Sequence, residues 1–352
     1  MAELNLIPHI WIERYCMALA VSFAVSCALT FISIHVLKKL KIMDEPDPRK
    51  IHKTPIPRMG GIAIYVGFIV PMFLKMDFSS PQLGIMIGSA IALLIGDFDD
   101  IWHVPATLKL IFLFLLTLLI WRFGVVTNLP FIIEKYRSII NIVITMLWLT
   151  GLCSAINAID HMDGLAAGLS AIASFIYLAI SLQSGQWIWG LMSICMIGSL
   201  LGFLMFNWHP AKIFMGDSGS FFLGFSLGAI GIMGGWSENS LKSAIIPFAV
   251  LSIPIMDLLY VIVTRRLTGI TKNLKESITY CGKDHIGHRF CKFGFTQVNS
   301  VRIIYLVSFT VSISALIIRY TADVESFLLL FQILMIYIII FILMRHPEQH
   351  SV

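Results

Sequence analysis

Unbroken apolar runs dominate this chain and limit what it can fold into. A bilayer-spanning helix needs roughly 17–25 mostly apolar residues. About eleven such runs are legible, near 10–37, 60–76, 83–97, 108–122, 139–158, 165–183, 187–206, 220–236, 244–264, 301–319 and 325–344. With 58% hydrophobic and 13% charged residues, the chain departs from ordinary soluble domains. Disorder is excluded by the same figures, since it needs low hydrophobicity and high charge. An outer-membrane barrel would alternate apolar and polar residues, and these runs do not alternate. The reading is an all-α polytopic membrane protein with about eleven transmembrane helices. No long soluble insertion and no internal repeat stands out, so residues 1–352 are read as one membrane-embedded domain.

The first run is too long for a signal peptide and lacks a basic region before it. Lys38, Lys39 and Lys41 follow it. The positive-inside rule then predicts an outside N-terminus and a cytoplasmic loop at 38–59. Eleven spans assign every other loop, and they divide the 25 Lys and Arg into eighteen inside and seven outside. That bias supports both the orientation and the count. The six cysteines form no CxxC pair, so neither a disulfide framework nor a zinc site is expected.

Five polar motifs punctuate the runs, and this topology puts all of them on the cytoplasmic face. They are DEPDPRKIHKTPIPRMGG (44–61), GDFDD (96–100), NAIDHMDG (157–164), FMGDSGS (214–220) and GKDHIGHR (282–289). Carboxylates at a membrane edge are costly unless they serve something. Asp97, Asp99 and Asp100 crowd into four residues, and like charges that close call for a cation. Asp160 and Asp163 would share a face if their helix continued. Asp217 sits in a glycine-flanked turn where backbone can approach a ligand. Carboxylate and amide oxygens without thiolate suit Mg2+, with Mn2+ as a substitute. Arg49, Lys50, Lys53 and Arg58 in the first loop, and Lys283, His285, His288, Arg289 and Lys292 near the last motif, are the kind of groups that hold a diphosphate. Acids, metal and bases on one face suggest phosphoryl transfer at the membrane surface.

Plainer readings exist for each part. An Asp pair at a helix end can be a cap, and basic loops can be positive-inside residues alone. His35, His103, His161 and His209 read as interfacial packing, and Asp257 reads equally as a partner of Arg265 or Arg266. Only the conjunction of motifs favours function.

The ordered set RKxH…PRMGG, GxxDD…K, NxxDxxDGLAxG, FMGDSGSxxLG and HxxHR resembles the polyprenyl-phosphate N-acetylhexosamine-1-phosphate transferases, the WecA, TagO and MraY superfamily. The match spans roughly 44–289, and the helix count and IPIMDLLYVIVTRR (253–266) resemble the WecA branch. The resemblance implies that undecaprenyl phosphate attacks the β-phosphorus of a UDP-N-acetylhexosamine, by default UDP-GlcNAc, and that UMP leaves. The product would start a surface polysaccharide at a bacterial inner membrane. It also implies roles. Asp217 and Asn157 would coordinate Mg2+ on the donor diphosphate. Asp99 and Asp100 would face the lipid phosphate, with Asp99 the candidate base, and Lys109 would contact phosphate. Asp163 would read uracil, and Asp160 would be a catalytic or supporting carboxylate. His285, His288 and Arg289, with Lys53 and Arg58, would hold the diphosphate or the sugar.

Two positions depart from the pattern. His161 stands where many relatives carry Gly, and Gly287 stands where the WecA branch carries His. Donor choice therefore stays open among modified hexosamines. No nucleic-acid partner is expected, and a homodimer is left open. The alternatives are an ion-coupled transporter and a non-catalytic protein that binds lipid-linked sugars.

Overall fold

In hydrocarbon every backbone polar group must be satisfied within its own segment, so apolar runs become helices. The computed structural model describes residues 9–46, 54–73, 78–129, 132–280 and 282–345. Its helices are α1 (His9–Leu40), α2 (Gly61–Phe73), α3 (Ser80–Trp102), α4 (Ala106–Trp121), α5 (Glu134–Ile159), α6 (Leu165–Ser184), α7 (Trp187–Asn207) and α8 (Gly216–Met233). There follow α9 (Ser240–Val250), α10 (Ser252–Leu267), α11 (Leu274–Thr279), α12 (Ile286–Lys292), α13 (Gln297–Ile318) and α14 (Asp323–Arg345). Among the described residues the only strands are β1 (Met43–Asp44) and β2 (Ile56–Pro57), paired antiparallel.

This is an all-α polytopic membrane protein. Each of the eleven apolar runs overlaps a helix or the α9–α10 pair. By length and composition, seven helices among the described residues can cross a membrane alone (α1, α3, α5, α6, α7, α13 and α14), or eight segments if the α9–α10 pair is one span. The others, α2, α4 and α8, are shorter.

Two packing ridges hold the bundle that carries the site. Helix α1 lies against α7, and α3 lies against α8. Lipid tails are as apolar as Leu, so such contacts depend on close approach and interhelical hydrogen bonds. Ser26 Oγ donates to the Ser199 carbonyl at 2.6 Å, and Ser89 and Ser226 share a hydrogen bond of 2.7 Å between α3 and α8.

Three expectations need correction. The run at 83–97 is the core of a 23-residue helix, and the acidic triplet lies within its last two turns rather than beyond them. Asp160 and Asp163 do not share a helical face, because α5 stops at Ile159 and the next five residues are a loop. The run at 244–264 is not straight: α9 and α10 meet at 71°. The cause is Pro254, which has no N–H for the Val250 carbonyl. That carbonyl instead accepts from Ser312 Oγ on α13 at 3.3 Å.

Candidate functional site

Helices α3, α4 and α8 bring three charges together. Lys109 Nζ, in the first turn of α4, donates to Asp99 Oδ2 at 2.5 Å and to Asp217 Oδ2 at 3.3 Å. Asp99 is aimed by a second bond, since Oδ1 accepts from the Val104 N–H at 2.7 Å. One base thus stands between two acids.

Asp100 has a different task. Gly216 turns the chain into α8 with φ +75°, and a Cβ there would lie 2.4 Å from Asp100 Oδ2. The first N–H groups of α8 lack helical partners. Those of Asp217 and Ser218 donate to the two Asp100 oxygens, each at 3.2 Å. Arg58 donates to the Asp100 carbonyl, and its Nη1 lies 4.0 Å from both Asp100 Oδ1 and Asp44 Oδ1. With its side chain 3% exposed, Asp100 is an anchor for α8. Its two oxygens accept from backbone N–H groups, and it also lines the cavity beside Asp217.

The first loop is tied to the same helix start. Phe214 N–H donates to the Pro57 carbonyl, and Gly60 and Gly61 N–H groups donate to the carbonyls of Phe214 and Met215, all at 2.8–3.0 Å. The expected turn around Asp217 is thus a turn at Met215–Gly216, with Asp217 in the first turn of α8.

A cavity of about 500 Å³ opens beside Asp217. Asn157, Asp160, Asp163, His161 and His288 line it with Asp217. Asn157 Nδ2 donates to Ser220 Oγ at 2.9 Å, which leaves its Oδ1 as a ligand atom. Asp163 Oδ2 accepts from His209 Nδ1 at 2.7 Å and from the Ala211 N–H at 3.2 Å. Asn207, at the end of α7, accepts from the Gly164 N–H at 3.0 Å and donates to the Ile213 carbonyl at 2.8 Å. It thereby ties the α5–α6 loop to the segment before α8. Burial, with the charges of Asp217, Asp100 and Asp163, pushes the Asp160 carboxyl well above the usual range.

Two imidazoles, His161 and His288, line the cavity, and a third, His285, packs against His161. The His161 ring lies 5.1 Å from His285 and 4.7 Å from His288 between centroids. Burial and the two neighbouring histidines hold His161 well below its ordinary value. Burial, His285 and Lys283 push His288 down to about 4. His285 Nδ1 and the Ile286 N–H both donate to Asp257, each at 2.7 Å.

The expected residues therefore divide. Asn157, Asp160, Asp163, His288, Arg58, Asp100 and Asp217 line the cavity. Asp99 and Lys109 stand behind Asp217 and touch it through the Lys109 amine. His285 is held by Asp257, which corrects the expected pairing of Asp257 with Arg265 or Arg266; Arg265 pairs with Asp284 instead. Arg289 does not line this cavity. It stacks over Tyr260 at 5.1 Å, and its Nε donates to the Asp284 carbonyl at 2.8 Å. Lys53, with Arg49 and Lys50, lies outside the described residues. The packing role expected of His161 and His209 is also corrected, because both line the cavity. Asn207 was missed, although a polar Asn and His closing an apolar run at NWHP was a signal.

Among the described residues no three His, Cys, Asp or Glu side chains converge tightly enough to hold a metal by themselves. The oxygens of Asp217 and Asn157 still fit Mg2+, which typically takes one or two protein oxygens and completes its shell with substrate phosphates and water.

The chain is similar to known proteins over most of its length. The sequence profile of the family described as glycosyl transferase family 4 matches residues 82–235. The chain is 34% identical over 310 residues to "Probable undecaprenyl-phosphate N-acetylglucosaminyl 1-phosphate transferase" of Bacillus subtilis (strain 168), covering 86% of this chain and 85% of that one. It is 30% identical to "Decaprenyl-phosphate N-acetylglucosaminephosphotransferase" of Mycobacterium leprae (strain TN), over 76% and 74% of the two chains. Against "Phospho-N-acetylmuramoyl-pentapeptide-transferase" of Staphylococcus carnosus (strain TM300) it is 30% identical, over 60% and 74%. The chain belongs to glycosyl transferase family 4, within the superfamily of polyprenyl-phosphate N-acetylhexosamine-1-phosphate transferases.

Proposed function

We propose that the protein transfers N-acetylglucosamine 1-phosphate from UDP-GlcNAc to undecaprenyl phosphate at the cytoplasmic face of a bacterial inner membrane. A single placement supports this reading. Asp217 stands between the 500 Å³ cavity, lined by Asn157, Asp160 and Asp163, and the Lys109–Asp99 pair. A nucleotide diphosphate in the cavity would then meet a lipid phosphate near Lys109 across one carboxylate.

An oxygen of the lipid phosphate attacks the β-phosphorus. A new P–O bond forms, the bond from that phosphorus to the bridging oxygen of UMP breaks, and UMP departs. A phosphate monoester is already largely dianionic near pH 7, its second pKa being about 6. Asp99 therefore need not remove a proton; it positions Lys109, whose ammonium offsets charge on the phosphates. Asp217 and Asn157 would hold Mg2+, which supplies charge neutralisation on the leaving UMP. Asp163 is pre-aimed by His209 and the Ala211 N–H, and would accept from uracil. His161 and His288 line the same cavity and would contact the sugar or the diphosphate.

The test is UMP release by purified protein supplied with UDP-GlcNAc, undecaprenyl phosphate and Mg2+. The Asp217→Asn variant should lose activity by roughly a hundredfold or more, the scale of removing an electrostatic stabiliser. Wild-type activity in that variant removes the assigned role of Asp217. No UMP with any UDP-N-acetylhexosamine removes the reading.

A further inference from the structure

A second cavity, of about 520 Å³, opens between α10, α12 and α14. It shares no lining residue with the first, and none of Asp99, Asp100, Lys109 and Asp217 lines it. The short helix α12 separates the two. His288 faces the first cavity and its neighbour Arg289 faces the second.

The chemistry of this cavity is two-sided. Its charged lining consists of Arg265, Lys283, Arg289 and Lys292 against one acid, Asp284. Asp284 is consumed by Arg265, whose Nε and Nη2 donate to its two oxygens at 2.7 Å each. Lys283 and Lys292 are exposed at the rim. The opposite wall is apolar and comes from the membrane-crossing helices, including Leu267, Ile338 and Ile342. Leu267 is 80% exposed and Ile342 60% exposed. Ile338 and Ile342 lie on α14, a helix long and apolar enough to cross a membrane, where an exposed apolar face suits acyl chains. The stacked rings of Tyr260 and Phe341, 4.5 Å apart, form the floor between the two sides.

A soluble anion would leave the apolar wall unused, and a zwitterionic headgroup would not answer the surplus of three positive charges. We infer that this cavity binds an anionic phospholipid, its phosphodiester among Lys283, Arg289 and Lys292 and its acyl chains along α10 and α14. The acceptor lipid is excluded as occupant by position, since its phosphate must reach the Lys109–Asp99–Asp217 group.

The test reads binding alone, with no donor and no transfer, so its outcome is separate from that of the proposed reaction. Delipidated protein in detergent is titrated with phosphatidylglycerol, with phosphatidylcholine of the same acyl chains, or with undecaprenyl phosphate, and bound lipid is counted by native mass spectrometry. Phosphatidylglycerol should bind at least about tenfold tighter than phosphatidylcholine, the scale expected of two or more basic side chains near a headgroup. The Lys283→Gln/Lys292→Gln variant should lose about that factor. Ile342→Trp, which narrows the mouth without changing charge, should also weaken binding, and it serves if the double variant does not fold. Equal affinity for the two phospholipids overturns the inference, as does wild-type affinity in either folded variant. Tighter binding of undecaprenyl phosphate than of phosphatidylglycerol, weakened by the same variants, also overturns it, because the cavity would then be the acceptor's.

Discussion

Gly287 has no room for a side chain. A Cβ there would lie 2.6 Å from Met162 Sδ and 2.7 Å from His161 Nε2. The two departures from the family pattern are thus one feature: the imidazole at 161 occupies space that a side chain at 287 would need. Gly287→Ala should destabilise the protein by about 1–3 kcal/mol, the usual cost of overpacking. His161→Gly in the same chain should recover part of that loss, measured as the midpoint of unfolding in detergent. The histidines also predict a pH dependence. His288 falls from an ordinary 6.5 to about 4 in the folded state, and His161 is lowered for similar reasons. Above 6.5 neither the folded nor the unfolded form carries these protons. As pH falls from 6.5 towards 4, the unfolded chain binds protons that the folded protein refuses, so stability is lost across that window. The His288→Asn variant should show a shallower decline of Tm between pH 7 and 5.

At the scale of elements, the junction of α3 with α8 matters most. The apolar signal of α3 ends at Asp97, yet the helix runs on to Trp102. It does so because its acids find partners that no local pattern reveals. Asp99 takes Lys109 from the next helix, and Asp100 takes two N–H groups from a helix start 117 residues away. Asp100 and Asp217 should therefore fail differently. Asp100→Ala should cost stability, by about 2–4 kcal/mol for two orphaned N–H groups and a lost charge at a helix start. Asp217→Asn should lose activity with little change in unfolding. Thermal unfolding beside UMP release separates the two. The break between α9 and α10 was partly readable, since Pro247 and Pro254 stand in the run. Its angle was not, because it depends on Ser312 from another helix accepting the role of the missing donor.

For the whole molecule, the proposed orientation carries one prediction. On the eleven-span topology, eighteen of 25 basic residues are assigned to the side that carries all five polar motifs. A single cysteine at the exposed Lys272, in a chain otherwise without cysteine, should react with an impermeant maleimide in inverted vesicles and resist it in intact cells. The reverse pattern would put the site on the other face.

Hydropathy and motif order, both local in the chain, were enough to determine an all-α membrane protein and the kind of chemistry it hosts. Bilayer length and backbone hydrogen bonding leave few other ways to fold such runs. Which acid does what was decided only in three dimensions. Asp99 and Asp100 are close and alike in sequence, but one pairs with a lysine of the next helix and the other pins a helix start. Likewise His288 and Arg289 are neighbours in one short helix, and they face separate cavities. A carboxylate or a base takes its role from the partners that distant segments bring to it, and those contacts exist only once the helices have packed.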